Sequence, residues 1–190
     1  MINLETCNLC PIFSLLPNGC TPVPPVGPKT SSIMIIGEAP GATEVEVGMP
    51  FVGPCGRLLD RLLSSAGINR ENVYITNTVK CRPTDDGRSN RPPNSAEIST
   101  CTENHLFREI YYVRPTYIFT LGKVPTYALL AGPLKKSFKM KDVVGKVFPV
   151  SLETITISVI PNYHPSYIMQ YGKEFDKKAI EVFVRYNVKR

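Results

Sequence analysis

The chain has 190 residues, of which 43% are hydrophobic and 20% charged; this suits a folded domain and excludes a disordered one. Lys and Arg outnumber Asp and Glu by 22 to 16, a formal net charge of +6 that points to a polyanionic partner. No apolar run approaches the roughly 18 residues of a membrane-spanning helix and no signal-peptide pattern opens the chain, so a cytoplasmic protein with no membrane partner is expected.

At roughly 100–200 residues per domain, one domain over 1–190 is expected, with an irregular segment over 1–30. In chain order, the Pro-rich stretch Pro17–Pro28 reads as a connector. Ile33–Ile36 is a short apolar run ending at Gly37, the pattern of a buried strand. A Gly/Pro-rich loop from Gly37 to Gly56 follows. Leu58, Leu59, Leu62, Leu63 and Ala66 recur at helical spacing, with Gly67 as a C-cap. Val73–Thr76 is the second strand, ending at Asn77. Asn94, Ser95 and Glu97 resemble a capping box after Pro92-Pro93, opening a helix that runs to about Tyr112. Tyr117–Leu121 is a third strand, a short helix covers Pro125–Leu130, and Thr154–Ile160 is a fourth strand. A helix over about Lys173–Tyr186 closes the pattern.

Strands alternating with helices predict a three-layer α/β/α fold around a mainly parallel, four-stranded sheet. Sites in such sheets lie at the carboxyl ends of the strands. Three of those ends carry polar residues here: Glu38, Asn77 and His164.

Cys7 and Cys10 form a C-x-x-C pair; Cys81 follows the second strand and Cys101 lies on the next helix. Four thiolates suit zinc or a [4Fe–4S] cluster, and a reducing compartment favours ligands over disulfides. Spacing alone leaves open that Cys81 and Cys101 are simply buried thiols. Cys20 and Cys55 remain as bystanders, and His105, one turn after Cys101, is either a substitute ligand or a partly exposed helix histidine.

Several motifs, in order, carry a resemblance. They are Gly37-Glu38-Ala39-Pro40-Gly41 with Pro50-Phe51-Val52-Gly53-Pro54, then Asn72–Asn77 with Lys80-Cys81-Arg82-Pro83, and finally His164-Pro165-Ser166-Tyr167. Together they resemble the family 4 uracil-DNA glycosylases from Cys7 to Tyr167. The resemblance implies hydrolysis of the N-glycosidic bond of uracil in DNA, leaving an abasic site, and a [4Fe–4S] cluster on Cys7, Cys10, Cys81 and Cys101, with zinc as the alternative. It implies a base pocket of Glu38, Ala39, Pro40, Phe51, Asn77 and His164. In it Phe51 stacks on the base, the Asn77 amide reads its edge, and His164 donates to the base O2 as charge develops. Glu38 and Glu44 are the expected carboxylates near the sugar, with Glu46 competing with Glu44.

The expected DNA contacts are Arg82 in the loop after Cys81, Lys135 and Lys136 in a basic run, and Ser166 and Tyr167, which begin a candidate wedge into the flipped-out space. A monomer is expected. The loop Ala42–Val45 is less acidic than the family's, and Gln170 stands where an Arg is frequent. Substrate choice therefore stays open between uracil and a bulkier modified pyrimidine, as in viral DNA. A catalytically weak nucleic-acid-binding protein of the same fold is the rival of another class.

Overall fold

The computed structural model describes residues 4, 7–10, 12, 20–132, 134, 138–152 and 155–187. Its elements are β1 (Ile33–Gly37), α1 (Ala42–Val47), α2 (Pro54–Ser65), β2 (Tyr74–Asn77), α3 (Ser95–Cys101), α4 (Phe107–Val113), β3 (Tyr117–Leu121), α5 (Lys123–Leu130), α6 (Met140–Val143), β4 (Phe148–Leu152), β5 (Ile155–Asn162), α7 (Pro165–Tyr171) and α8 (Lys173–Tyr186). A π turn over Thr102–Leu106 joins α3 to α4, so the helix expected from Asn94 onward is one continuous rod. The Asn94 side chain accepts from Glu97 N, and Glu97 Oε2 accepts from Asn94 N, closing the capping box read from the sequence.

The sheet has five strands in the order β2-β1-β3-β5-β4, one more than expected. The addition is β4, antiparallel to β5 at the edge. It escaped the strand pattern because Pro149 interrupts it and none of its residues is fully buried. An edge position tolerates both features. The parallel strands align Gly37 with Asn77 and Leu121 with Asn162, so their carboxyl ends finish at one level.

Each face of the sheet buries its own core, as a parallel sheet requires. On one, Leu59, Leu62 and Leu63 of α2 and Ala179, Val182 and Phe183 of α8 pack on Ile35, Ile75, Phe119 and Ile160. On the other, Leu106, Ile110 and Val113 pack on Met34, Ile36, Ile118 and Val159. Burying each such aliphatic side chain contributes about 1.5–3 kcal/mol. The free edge of β2 is covered by the Pro-rich connector. Val26 N donates to Ile75 O and Ile75 N to Val26 O, and Val23 N donates to Lys80 O. No helix among the described residues is long and apolar enough to cross a membrane.

Candidate active site

The loops after β1, β2 and β5 enclose a cavity of about 430 Å³ lined by Thr43, Glu44, Phe51, Cys55, Asn77 and His164, among others. A second cavity of about 230 Å³ adjoins it and holds Glu38. Ala39, Gly41, Asn90, His164 and Ser166 line both. The polar residues expected at the strand ends therefore meet at one place.

Two glycines make the room. A Cβ on Gly37 would overlap both Asn77 Oδ1 and the Phe51 ring, and one on Gly56 would overlap the Phe51 carbonyl. Phe51 has a left-handed backbone (φ 55°), a strained conformation for an aromatic residue that such sites tolerate at about 1–3 kcal/mol. Its ring is buried, with its centroid 6.4 Å from that of His164. The β2 end clamps the first loop from below. Thr78 N and Oγ1 both donate to Gly37 O, and Val79 N donates to Glu38 O.

Asn77 is buried, and its side-chain amide has no hydrogen-bond partner among the described residues. Its backbone is held from behind by Lys80, whose ammonium is almost fully buried. Lys80 Nζ donates to Asn77 O (2.7 Å) and Thr76 Oγ1 (2.7 Å), and pairs with Glu109 on α4 (2.8 Å).

His164 precedes α7 and caps it: Ser166 N donates to His164 Nδ1 (3.2 Å), and Ser166 Oγ lies 2.7 Å from the same nitrogen. A nitrogen that accepts a backbone N–H carries no proton, so the hydrogen of the neutral ring sits on Nε2. Burial lowers the His164 pKa to about 4, so at neutral pH the imidazole is uncharged and donates from Nε2. Burial acts the other way on Glu38, raising its pKa, and its carboxyl has no partner among the described residues.

Glu44 is a brace. Its Oε2 accepts from Gly41 N (3.1 Å), and its Oε1 accepts from Val52 N (3.1 Å) and Gly53 N (2.8 Å). It thereby ties the two halves of the first motif together. It belongs to α1, which lies inside the segment read as loop. α1 buries no residue, so no apolar stripe announced it. Glu46 is exposed on the same helix.

The expected DNA contacts fare differently. Ser166 lines the site and Tyr167 is exposed beside it. Arg82 is engaged within its own loop, donating to Asn90 Oδ1 (2.6 Å), Gly87 O (3.0 Å) and Arg88 O (2.6 Å). Lys135 and Lys136 lie outside the described residues. Sequence reasoning missed Asn90, which Arg82 holds against both cavities, and the buried role of Lys80.

The cysteines gather behind β2. Cys10, Cys81 and Cys101 share a small buried cluster with Ile12 and Val79, against which Cys20 packs. Cys7 Sγ is 3.2 Å from His105 Nε2. Two expectations are corrected. Cys20 is no bystander, because it is disulfide-bonded to Cys81, and His105 is buried, not half-exposed. Burial pushes the Cys101 thiol up to about 11, and the backbone N–H and charge of Lys80 oppose that rise. Among the described residues no group of three or more His, Cys, Asp or Glu side chains is arranged to hold a metal ion.

Residues 24–186 match the family model of the uracil DNA glycosylase superfamily. The chain belongs to that superfamily. It is similar to type-4 uracil-DNA glycosylases from three archaea. It is 36% identical to that of Pyrobaculum aerophilum, over 88% of this chain and 81% of the relative. It is 40% identical to that of Saccharolobus solfataricus, over 86% and 72%, and 34% identical to that of Archaeoglobus fulgidus, over 92% and 87%. Within the superfamily match fall Glu38, Phe51, Asn77 and His164, together with Cys81 and Cys101; Cys7, Cys10 and Cys20 precede it.

Proposed function

We propose that this chain is a uracil-DNA glycosylase of the type-4 kind, hydrolysing the bond between uracil and deoxyribose in DNA. The observation that carries the reading is one cavity in which an aromatic ring, an unpartnered amide and a neutral histidine N–H converge. A base in a duplex cannot be reached in place, so the nucleotide is flipped out or met unpaired. Phe51 stacks on the base. Asn77 offers a carbonyl to the ring N–H and an amino group to the adjacent carbonyl. His164 Nε2–H donates to O2, where negative charge grows as the bond breaks. A donor of this kind contributes about 3–4 kcal/mol to the transition state. Glu38, in the adjoining cavity, orients the water. The water oxygen bonds to C1′ as the C1′–N1 bond breaks, the electron pair departs on the pyrimidine, and the water proton leaves through the carboxylate. Glu44 positions the loop and stays out of the chemistry. Ala39 and Pro40 supply the backbone wall of the pocket.

Cys7, Cys10, Cys81 and Cys101 are the residues that would hold a [4Fe–4S] cluster, with zinc as the alternative. The fit rests on donor chemistry: the sulfur side chains of Cys10, Cys81 and Cys101, from three separate segments, share one apolar recess, with the Lys80 cation nearby to offset thiolate charge. Bound there, such a group would cross-link the N-terminal segment, the loop after β2 and the end of α3. Cys81 can join it only with the bond to Cys20 reduced.

The test is incubation with single-stranded and duplex oligonucleotides containing uracil, thymine, hypoxanthine or modified cytosines, followed by alkali. Strand cleavage at uracil is expected. Release of a bulkier pyrimidine with uracil left intact would reassign the substrate, and no release from any of them would leave only a binding role.

A further inference from the structure

Beyond the pocket, the outward face of α7 carries a feature that the bond-breaking chemistry does not use. Tyr163, Tyr167 and Tyr171 recur at four-residue spacing from the residue before His164. Their rings form a stair. Tyr163 and Tyr167 are 5.5 Å apart and 10° from parallel, and Tyr167 and Tyr171 are 4.4 Å apart. Phe175 of α8 stands edge-on to Tyr163 (5.1 Å) and Tyr167 (5.0 Å), fixing the stair from behind. Exposure climbs from 7% at Tyr163 to 39% at Tyr167 and 55% at Tyr171, so only the first ring is there for the core.

Beside the upper steps Met169 is exposed. It lines a shallow depression of about 330 Å³ with Leu58, Ile168 and Lys173. The acids nearby are matched: Asp176 pairs with Arg61, and Glu174 with Lys178. Lys173 and Lys177 have no ion pair among the described residues.

We propose that this face is a platform for single-stranded DNA, stacking the unpaired nucleotides that flank the excised one. The proposal rests on the glycosylase reading. Three observations select this occupant. The stair is continuous with the site, since Ser166 in the first turn of α7 lines both cavities. Apart from Tyr163, one another and the edge of Phe175, the Tyr167 and Tyr171 rings have no aromatic partner among the described residues, and unpaired bases stack on such exposed faces without sequence preference. The unmatched lysines suit a phosphate backbone. A duplex keeps its bases stacked on each other and presents only backbone to this face, so it gains little from the rings.

The experiment compares the wild type, Tyr171→Ala and Tyr171→Phe on a uracil-containing single strand and on the same strand annealed to its complement. On the single strand, Tyr171→Ala is expected to raise KM about tenfold with kcat unchanged, and Tyr171→Phe to restore it. On the duplex the change stays below about twofold, because base stacking is not on offer there. The chain has no Trp, so tyrosine emission reports binding directly. A uracil-free single strand should quench it in the wild type and much less in Tyr171→Ala. Equal effects on both substrates, or none on either, overturn the platform. Quenching by anionic phospholipid vesicles with none by the single strand also overturns it and assigns the face to a membrane. Failure of the wild type to release uracil overturns the glycosylase reading instead, and the quenching titration still decides the platform.

Discussion

Lys80 Nζ donates to the backbone carbonyl of Asn77 at 2.7 Å, from a side chain that is 1% exposed. The residue we propose reads the base is thus held by a buried cation, and that cation is held by Glu109 on α4. Removing one partner of such a pair strands the other, at a cost of about 3–5 kcal/mol. Lys80→Met should therefore lower stability by that order in urea unfolding. Lys80→Met combined with Glu109→Gln should recover part of the stability, because no charge is left stranded. It should not recover kcat/KM for uracil excision, because Asn77 O still lacks its donor. Full recovery of activity in the double variant would reduce Lys80 to a structural ion pair.

His164 and Glu38 are driven in opposite directions by the same cause, burial. The His164 ring stays neutral until about pH 4, whereas Glu38 protonates above its ordinary value. As pH falls, the carboxylate is therefore lost first. The acid limb of kcat/KM should lie above the ordinary carboxylate range and should belong to Glu38. With only two histidines in the chain, NMR can follow His164 directly, and an imidazole still neutral at pH 5.5 is the expected result. The unfolded chain binds a proton on this residue near pH 6.5, while the folded chain waits until about 4. Stability from His164 is therefore present above pH 6.5 and is lost as pH falls toward 4. His164→Gln should lower kcat by about 100- to 1,000-fold, while losing the Nδ1 cap on Ser166 N lowers stability by only about 1 kcal/mol.

Much of this arrangement is legible in the sequence, for a physical reason. The parallel strands are buried over most of their length, so they read as apolar runs, and three of the four runs stop where a polar residue enters the site. Glu38, Asn77 and His164 mark those stops. What stays hidden has no periodic signature. α1 buries nothing and is held by a single carboxylate. β4 is an edge strand interrupted by proline. Asn90 sits in a polar loop whose shape comes from Arg82 and Asp86 bonding to its backbone. Lys80 looks like a surface residue to any composition argument, because lysine is almost never fully buried without a partner supplied from elsewhere in the fold.

Glu44 was expected beside the sugar, and its three backbone N–H contacts define what its loss would do. In Glu44→Gln one oxygen is replaced by an amino group that also faces a donor. With the carbonyl toward Val52 and Gly53, the new N–H₂ confronts Gly41 N. An unmet buried donor costs about 1–3 kcal/mol. The unfolding midpoint should drop, and KM should rise as the loop bearing Phe51 loosens. The acid limb of the pH profile should stay in place if, as we propose, Glu38 and not Glu44 handles the proton. A shifted acid limb in Glu44→Gln would return it to the chemistry.

The sulfur recess makes the remaining prediction, because Cys81 cannot serve both Cys20 and a metal group. Protein reduced and reconstituted anaerobically with iron and sulfide should turn brown and absorb near 400 nm. Cys101→Ser should abolish that colour, since its sulfur is buried in the recess with Cys10 and Cys81. Cys20→Ser should leave the colour intact and make it easier to form, because it removes the competitor for Cys81. Reconstitution of Cys20→Ser should then need less reductant than the wild type, as followed by iron content and absorbance. Loss of colour in Cys20→Ser with retention in Cys7→Ser would exchange the two in the ligand set. A colourless protein with one bound zinc after anaerobic preparation would instead favour a zinc site built from the same thiolates.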